Sequence, residues 1–317
     1  MDIGRLRHMR RVVPLIIVLA LSLSACRSSS GLETTERTSP PTPSDFPVTL
    51  EAPNGPLVIE EAPTAILSLS APATESLFAI GAGDQVVAVD DTSNYPEEAP
   101  ITDLSAYEPN IEAIAAYEPD LVIASDDLGD LVSSLDKLSI PVLLQPAATS
   151  IEDTYAQIEQ LGDATGHLNE AEELTADMSA EIEAIVVSTP EMDVPLTYFH
   201  ELDSTYFTVT SETFIGGVYA LLGLENIADE APKAGTGYPQ LSEEYIIDSD
   251  PDLIFLADTK CCEQSAGTVV ERPGWDQISA VQQGNIIELD DDIASRWGPR
   301  VVDFLRVVAD AVADVSG

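Results

Sequence analysis

Glu112-Ala-Ile-Ala-Ala-Tyr-Glu-Pro119-Asp120-Leu121-Val122-Ile123 and Glu244-Tyr-Ile-Ile-Asp-Ser-Asp-Pro251-Asp252-Leu253-Ile254-Phe255 follow one pattern. Each copy puts Pro-Asp-Leu seven positions after a glutamate. Each reads as a short helix, a proline stop and a buried strand of branched apolar residues. Two such units predict two α/β lobes with a cleft between them, each lobe carrying a glutamate at an equivalent place.

The flanking sequence extends the same alternation. Pro53-Asn54-Gly55 between Val48–Glu51 and Leu57–Glu60 predicts an opening hairpin. Ile66 to Leu69 reads as a strand. It runs into a helix from Ser70 to Ile80, with proline in its first turn and Gly81 past its end. Strands are expected at Gln85–Val89, Leu121–Ala124 and Val142–Leu144, and helices at Pro109–Tyr117 and Leu128–Leu138. Alternation of this kind builds a parallel sheet covered on both faces. Ile151 to Val187 keeps a helical period with a break near Gly162 and Thr165-Gly166, and reads as a long rigid connector. The second lobe restarts at Leu196–Phe199. A strand near Tyr206–Val209, a helix at Thr213–Leu222, a strand near Asn285–Leu289 and a terminal helix from Pro299 to Val315 follow. The expected division is signal 1–25, tether 26–46, first lobe 47–150, connector 151–190 and second lobe 191–317.

Arg5, Arg7, Arg10 and Arg11 precede the apolar run Val12–Leu23, and Leu23-Ser24-Ala25-Cys26 closes it. That order resembles a bacterial lipoprotein signal, with cleavage before Cys26 and lipid on its thiol. Acyl chains there would hold an extracytoplasmic protein at the cell membrane. The stretch after Cys26, with Ser39-Pro40-Pro41-Thr42-Pro43, lacks the apolar content to pack and reads as a tether.

These residues, taken in order, resemble the substrate-binding proteins of ABC importers for vitamin B12, ferric siderophores and haem. The likeness rests on Leu67-Ser-Leu-Ser70-Ala-Pro72-Ala-Thr-Glu75, on Asn110-Ile111-Glu112 with Pro119-Asp120, and on Gly223-Leu224-Glu225-Asn226-Ile227. It continues through Tyr238-Pro-Gln-Leu-Ser242 with Glu244, Arg272-Pro-Gly-Trp275 and Gly298-Pro299-Arg300. The resemblance implies two α/β lobes joined by a single long helix, as in class III periplasmic binding proteins. It also implies no enzymatic activity, a monomer, and a permease and ATPase as partners. Glu112 and Glu244 match the family's permease-docking positions, where a rigidly spaced carboxylate pair gives register as well as attraction.

The implied ligand lies between the lobes. Candidate contacts are Tyr95, Tyr107, Tyr206, Phe207, Tyr238 and Trp297, with Arg296 facing a ligand carboxylate or amide. Aromatic edges and faces suit a large macrocycle such as cobalamin, or a ferric siderophore chelate. No intrinsic cofactor is expected. For the haem alternative, His200 is the candidate axial ligand. Cys261-Cys262 reads as a vicinal disulfide on the cleft rim, with two free thiols or a ligand-contacting loop as alternatives. An exported cleft enzyme is the rival class, but no Gly-x-Ser-x-Gly elbow, metal-spaced histidines or nucleophile–base pair supports it.

The chain has 13 Lys+Arg against 56 Asp+Glu, a formal charge of −43. A field of that sign repels nucleic acid and anionic lipid. Dissolved salt screens the self-repulsion, so the excess reads as adaptation to a salty medium. Unfolding followed in dilute buffer and in molar KCl should give the higher stability in KCl; equal stability contradicts this.

Overall fold

The computed structural model describes residues 46–190, 192–231 and 237–316. Cys26, with the expected signal and nearly all of the expected tether, lies outside the described residues. The chain opens with the antiparallel hairpin β1 (Val48–Leu50) and β2 (Leu57–Ile59). Next come β3 (Ile66–Leu69), α1 (Ala71–Ala79), β4 (Val86–Val89), α2 (Ile111–Ala115), β5 (Leu121–Ala124), α3 (Leu131–Asp136) and β6 (Val142–Leu144). Two helices, α4 (Ile151–Thr165) and α5 (Leu168–Ser188), lead into the second half. That half contains β7 (Thr197–Glu201), α6 (Phe214–Ala220), β8 (Glu225–Asn226), α7 (Glu243–Ser249) and β9 (Leu253–Leu256). It ends with α8 (Thr259–Cys262), α9 (Ala266–Val270), α10 (Ser279–Gln283), β10 (Ile286–Glu288), α11 (Asp291–Ser295) and α12 (Val301–Ser316).

Both sheets are four-stranded and wholly parallel, ordered β4-β3-β5-β6 and β8-β7-β9-β10. In each, the first strand sits between the second and the third, with the fourth outside. The duplication read from Pro-Asp-Leu therefore extends to the whole topology. Its local cause is visible in both copies. Glu118 and Asp250, just before the prolines, take left-handed φ of +50° and +47°; Asp250 is the C-cap of α7, and Glu118 follows two residues after the Ala116 cap of α2. Pro119 and Pro251 are buried behind them. The Asp120 carboxylate accepts from the backbone N–H groups of Thr64 (2.7 Å) and Ala65 (3.0 Å) and from the Thr64 hydroxyl (3.0 Å). Asp252 accepts from the N–H (2.9 Å) and hydroxyl (3.0 Å) of Thr197. Each aspartate thus pins the start of the third strand to the start of the first, which fixes the register of the pair.

Strand residues alternate between two environments. Ile66, Leu121, Ile123, Tyr198, Leu253 and Phe255 enter one apolar cluster shared by both halves. Leu67, Val122 and Ala124 pack on the other side of the first sheet, and Phe199, Ile254 and Leu256 on the other side of the second. The shared cluster is completed by Ile158, Leu161 and Ala164 of α4, Ala171 and Met178 of α5, and Phe304, Leu305 and Val308 of α12. All of this belongs to one compact unit.

The connecting segment is a helix pair rather than one continuous rod. Gly166, at φ +85°, closes α4, and α5 begins two residues later. A Cβ on Gly162 would lie 2.5 Å from that of Ala171, so glycine there permits the close approach of α4 to α5. α4 packs on α1 and β1, while α5 packs on α12. The crossing between lobes is therefore α5 alone, 21 residues or about 31 Å long. Tyr206–Val209 forms no strand: Tyr206 turns at φ +67°, and a lone bridge joins Phe207 to Gln240.

Replacing Asp120 or Asp252 by alanine should lower stability by about 1–2 kcal/mol each, because backbone donors lose a charged acceptor. Urea unfolding checks this; an unchanged midpoint contradicts the pinning role.

Candidate functional site

A cavity of about 620 Å³ opens where the carboxyl ends of the first sheet face the segment after β10. Ser70 follows β3, Asp90 and Thr92 follow β4, Ser125 and Asp126 follow β5, and Pro146 follows β6. Asp292, Arg296 and Trp297 close the other side. Ligands of open parallel sheets bind beyond the strands' carboxyl ends, and this volume suits a small-molecule site.

An ion cluster holds the two sides together. Glu75 of α1 is buried and accepts from Arg296 Nη1 (2.9 Å) and from Arg300 Nε (2.9 Å) and Nη2 (2.5 Å). Arg296 also donates to Asn94 Oδ1 (2.9 Å), the Thr92 carbonyl (2.8 Å) and Asp292 (2.7 Å). Gly298 makes the approach possible, since a Cβ there would lie 3.2 Å from the Glu75 carboxylate and 3.5 Å from Pro72. The Ser70–Glu75 and Gly298–Arg300 motifs are thus two halves of one contact. Arg296 lines the cavity, and each of its terminal nitrogens already has two protein acceptors. It is a strut.

Of the other candidates, Tyr107, 74% exposed, and Trp297 line the cavity. Tyr95 instead stacks under the Arg300 guanidinium, 4.1 Å from its ring. Tyr206 packs against Trp275 and Arg272. Phe207 and Tyr238 are exposed on the second lobe. The haem-ligand expectation for His200 fails on position. The residue is fully buried, its Nδ1 is 2.8 Å from the Tyr219 hydroxyl, and its ring packs edge-on to Tyr219 and Phe304. Burial pulls its pKa down to about 3, so it stays neutral. Strand parity puts it beside Tyr198 in the shared core. Cys261 and Cys262 are joined by a disulfide within α8, whose Thr259, Lys260 and Cys261 N–H groups all donate to Asp291.

Glu112 and Glu244 are both exposed, and each is the second residue of its helix. Asn110 caps α2 and Ser242 caps α7. A helix that returns the chain between parallel strands starts at their carboxyl edge. Both glutamates therefore lie at the carboxyl edge of their own sheet.

Sequence reading missed Ser70, Asp90, Thr92, Ser125, Asp126 and Asp292. The available signal was their place directly after apolar strands or beside the Ser295–Arg300 loop. Asp90 is buried, and burial raises its pKa despite hydrogen bonds from Ser93 and Thr92. Asp292 has its carboxyl held below the usual range: burial opposes this, but Lys260 and Asn94 bind it.

A second carboxyl pair sits behind α8. Glu201 is fully buried and meets Arg272 through two bonds of 2.6 and 2.5 Å. Arg272 in turn stacks over Trp275 at 4.4 Å. Asp258, also fully buried, finds no hydrogen-bond donor among the described residues. Burial and the adjacent Glu201 charge push its pKa up to about 7, against the pull of Arg272.

Comparison with known proteins agrees with this geometry. Residues 66–293 match the family described as periplasmic binding protein. An uncharacterized ABC transporter substrate-binding lipoprotein of Bacillus subtilis is 28% identical over 277 residues, covering 84% of this chain and 86% of its own. A cobalamin-binding protein of Halobacterium salinarum is 28% identical over 276 residues, covering 84% and 74%. The crystal structure of a candidate iron-binding (periplasmic solute-binding) protein of Staphylococcus epidermidis superposes with a TM-score of 0.68 at 27% identity. It covers 78% of this chain and 98% of its own. The chain belongs to the periplasmic binding protein family, and is a binding protein of a transport system rather than an enzyme.

A raised carboxyl pKa means that Asp258 favours folding while protonated and loses that advantage as pH rises through about 7. Asp258→Asn should therefore match the parent near pH 5 and exceed its stability at pH 8 by about 1–3 kcal/mol. Thermal unfolding across that range checks it; parallel pH profiles contradict it.

Proposed function

We propose that this protein captures a metal chelate of the cobalamin or ferric siderophore type outside the cell and delivers it to an ABC permease. The observation that carries the reading is the 620 Å³ cavity at the carboxyl ends of one sheet, closed by a segment of the other half. Its aromatic surfaces, Tyr107 and Trp297, suit the faces of a large chelate. The cobalamin-binding relative supports a corrin. For the haem alternative, His200 is buried in the core, and Tyr107 offers an exposed phenol at the cavity.

Glu112 and Glu244 are the proposed docking prongs. Each projects from the second position of a capped helix at a strand carboxyl edge. Matched carboxylates on a stiff body set orientation and encounter rate with a basic surface. Cys26 is the proposed lipid attachment, which would keep the receptor beside its permease. No described helix is long and apolar enough to cross a membrane.

Incubating the protein with cobalamin, haemin or a ferric hydroxamate, then washing and recording its absorption, tests capture. Retained cobalamin or hydroxamate chromophore is expected, and a colourless protein in every case contradicts the proposal. In a transport assay the double variant Glu112→Lys, Glu244→Lys should keep chelate binding and lose uptake. Loss of binding, or full uptake, removes the docking assignment.

A further inference from the structure

Six basic side chains fall among the described residues: Lys137, Lys260, Arg272, Arg296, Arg300 and Arg306. Five are engaged in ion pairs within the protein. Lys260 binds Asp290 and Asp292, Arg272 binds Glu201, Arg296 binds Glu75 and Asp292, Arg300 binds Glu75, and Arg306 binds Glu181 and Asp303. Lys137 caps the end of α3, which runs back against the strands, so it lies at the amino edge of the first sheet, opposite the cavity. Arg296 alone of these lines the cavity, and both of its terminal nitrogens are committed to protein acceptors.

The acidic side is differently arranged. Asp90, Asp126 and Asp292 all line the cavity. Asp90 is buried beneath hydrogen bonds from Thr92 and Ser93, and Asp292 is spent on Lys260, Arg296 and Asn94. Asp126 is exposed, and the hydrogen bond it accepts comes from the N–H of Asp127 (2.8 Å), with no cation among the described residues paired to its charge. It stands immediately past β5, an inner strand of the sheet beneath the cavity. A ligand entering there meets a standing negative charge and finds no free cation among the described residues.

We infer that this cavity sorts metal chelates by charge, accepting neutral or cationic complexes and rejecting anionic ones, with Asp126 as the residue that sets the preference. The inference rests on the chelate-receptor reading and narrows its ligand class. An anionic chelate would have to shed its hydration beside Asp126 with no free guanidinium or ammonium among the described residues to replace it, and like charges brought together at a binding surface are a strong means of exclusion. A cationic or neutral complex bearing amide or hydroxyl donors finds acceptors in Asp126 and in the hydroxyls of Ser70 and Ser125, which are 2.8 Å apart.

The test is a titration of intrinsic fluorescence with three probes: cyanocobalamin (neutral), ferrioxamine B (cationic) and a ferric tris-catecholate (anionic). The parent should bind the anionic probe at least about tenfold more weakly than the better of the other two. Asp126→Lys should strengthen the anionic probe and weaken the cationic one by similar factors. Asp126→Asn keeps the acceptor for the Asp127 N–H and should fall between, with an unchanged circular dichroism spectrum. The gap between probes should shrink as KCl is raised, because an exposed charge is screened. Equal binding of the anionic and neutral probes by the parent, or an unmoved ratio in Asp126→Lys, overturns the charge sorting. If none of the three binds, the chelate-receptor reading itself fails and this inference falls with it.

Discussion

One continuous apolar cluster carries both halves of the molecule. Tyr198, Phe255 and Phe304 from the second half lie in the same packed set as Ile66, Leu77 and Ile123 from the first. α4, α5 and α12 fill the space between them. Native packing resists small displacements, since separating such surfaces would open voids and expose apolar area. The lobes are therefore parts of one solid rather than two bodies on a hinge. This constraint makes the cavity a standing feature and gives Glu112 and Glu244 a fixed spacing.

The Glu75–Arg296–Arg300 cluster acts on top of that core. A buried carboxylate shared by two guanidinium groups contributes modestly to net stability, because desolvation offsets much of the attraction. Its value lies in placement. It brings the 292–297 segment onto the carboxyl edge of the first sheet, so the cavity has walls from both halves. It also uses up the cation nearest the cavity, which leaves the lining acidic. One structural contact thereby shapes both the size of the site and its charge.

Much of the fold was legible in the sequence. The strands Ile66–Leu69, Leu121–Ala124 and Val142–Leu144 appear with the expected limits because unbroken branched runs bounded by turns leave little choice. The Pro-Asp-Leu repeat foretold the duplicated sheet, since a buried proline and a pinning aspartate are local devices. The connector was harder: helical period persists through α4 and α5, and it is the packing of Gly162 against Ala171 that turns the chain. Tyr206–Val209 misled because aromatic and branched residues favour strands, while a left-handed Tyr206 breaks the extension. β8, two residues long, leaves no periodic trace.

The site was less legible than the fold. The partners of Arg296, Glu75 and Thr92, were not legible because they lie some two hundred residues away in sequence. His200 stood as the axial-ligand candidate of the haem alternative because nothing local marks which face of a fully buried strand meets the shared core. Glu112 and Glu244 are exposed at the starts of capped helices, a placement that neighbouring residues alone dictate. The most direct test of the single-solid account is a distance measurement by pulsed electron resonance, with spin labels at Glu112→Cys and Glu244→Cys. One narrow distribution, unchanged by added chelate, is the predicted result. A broad or double distribution, or one that shortens on loading, would contradict it.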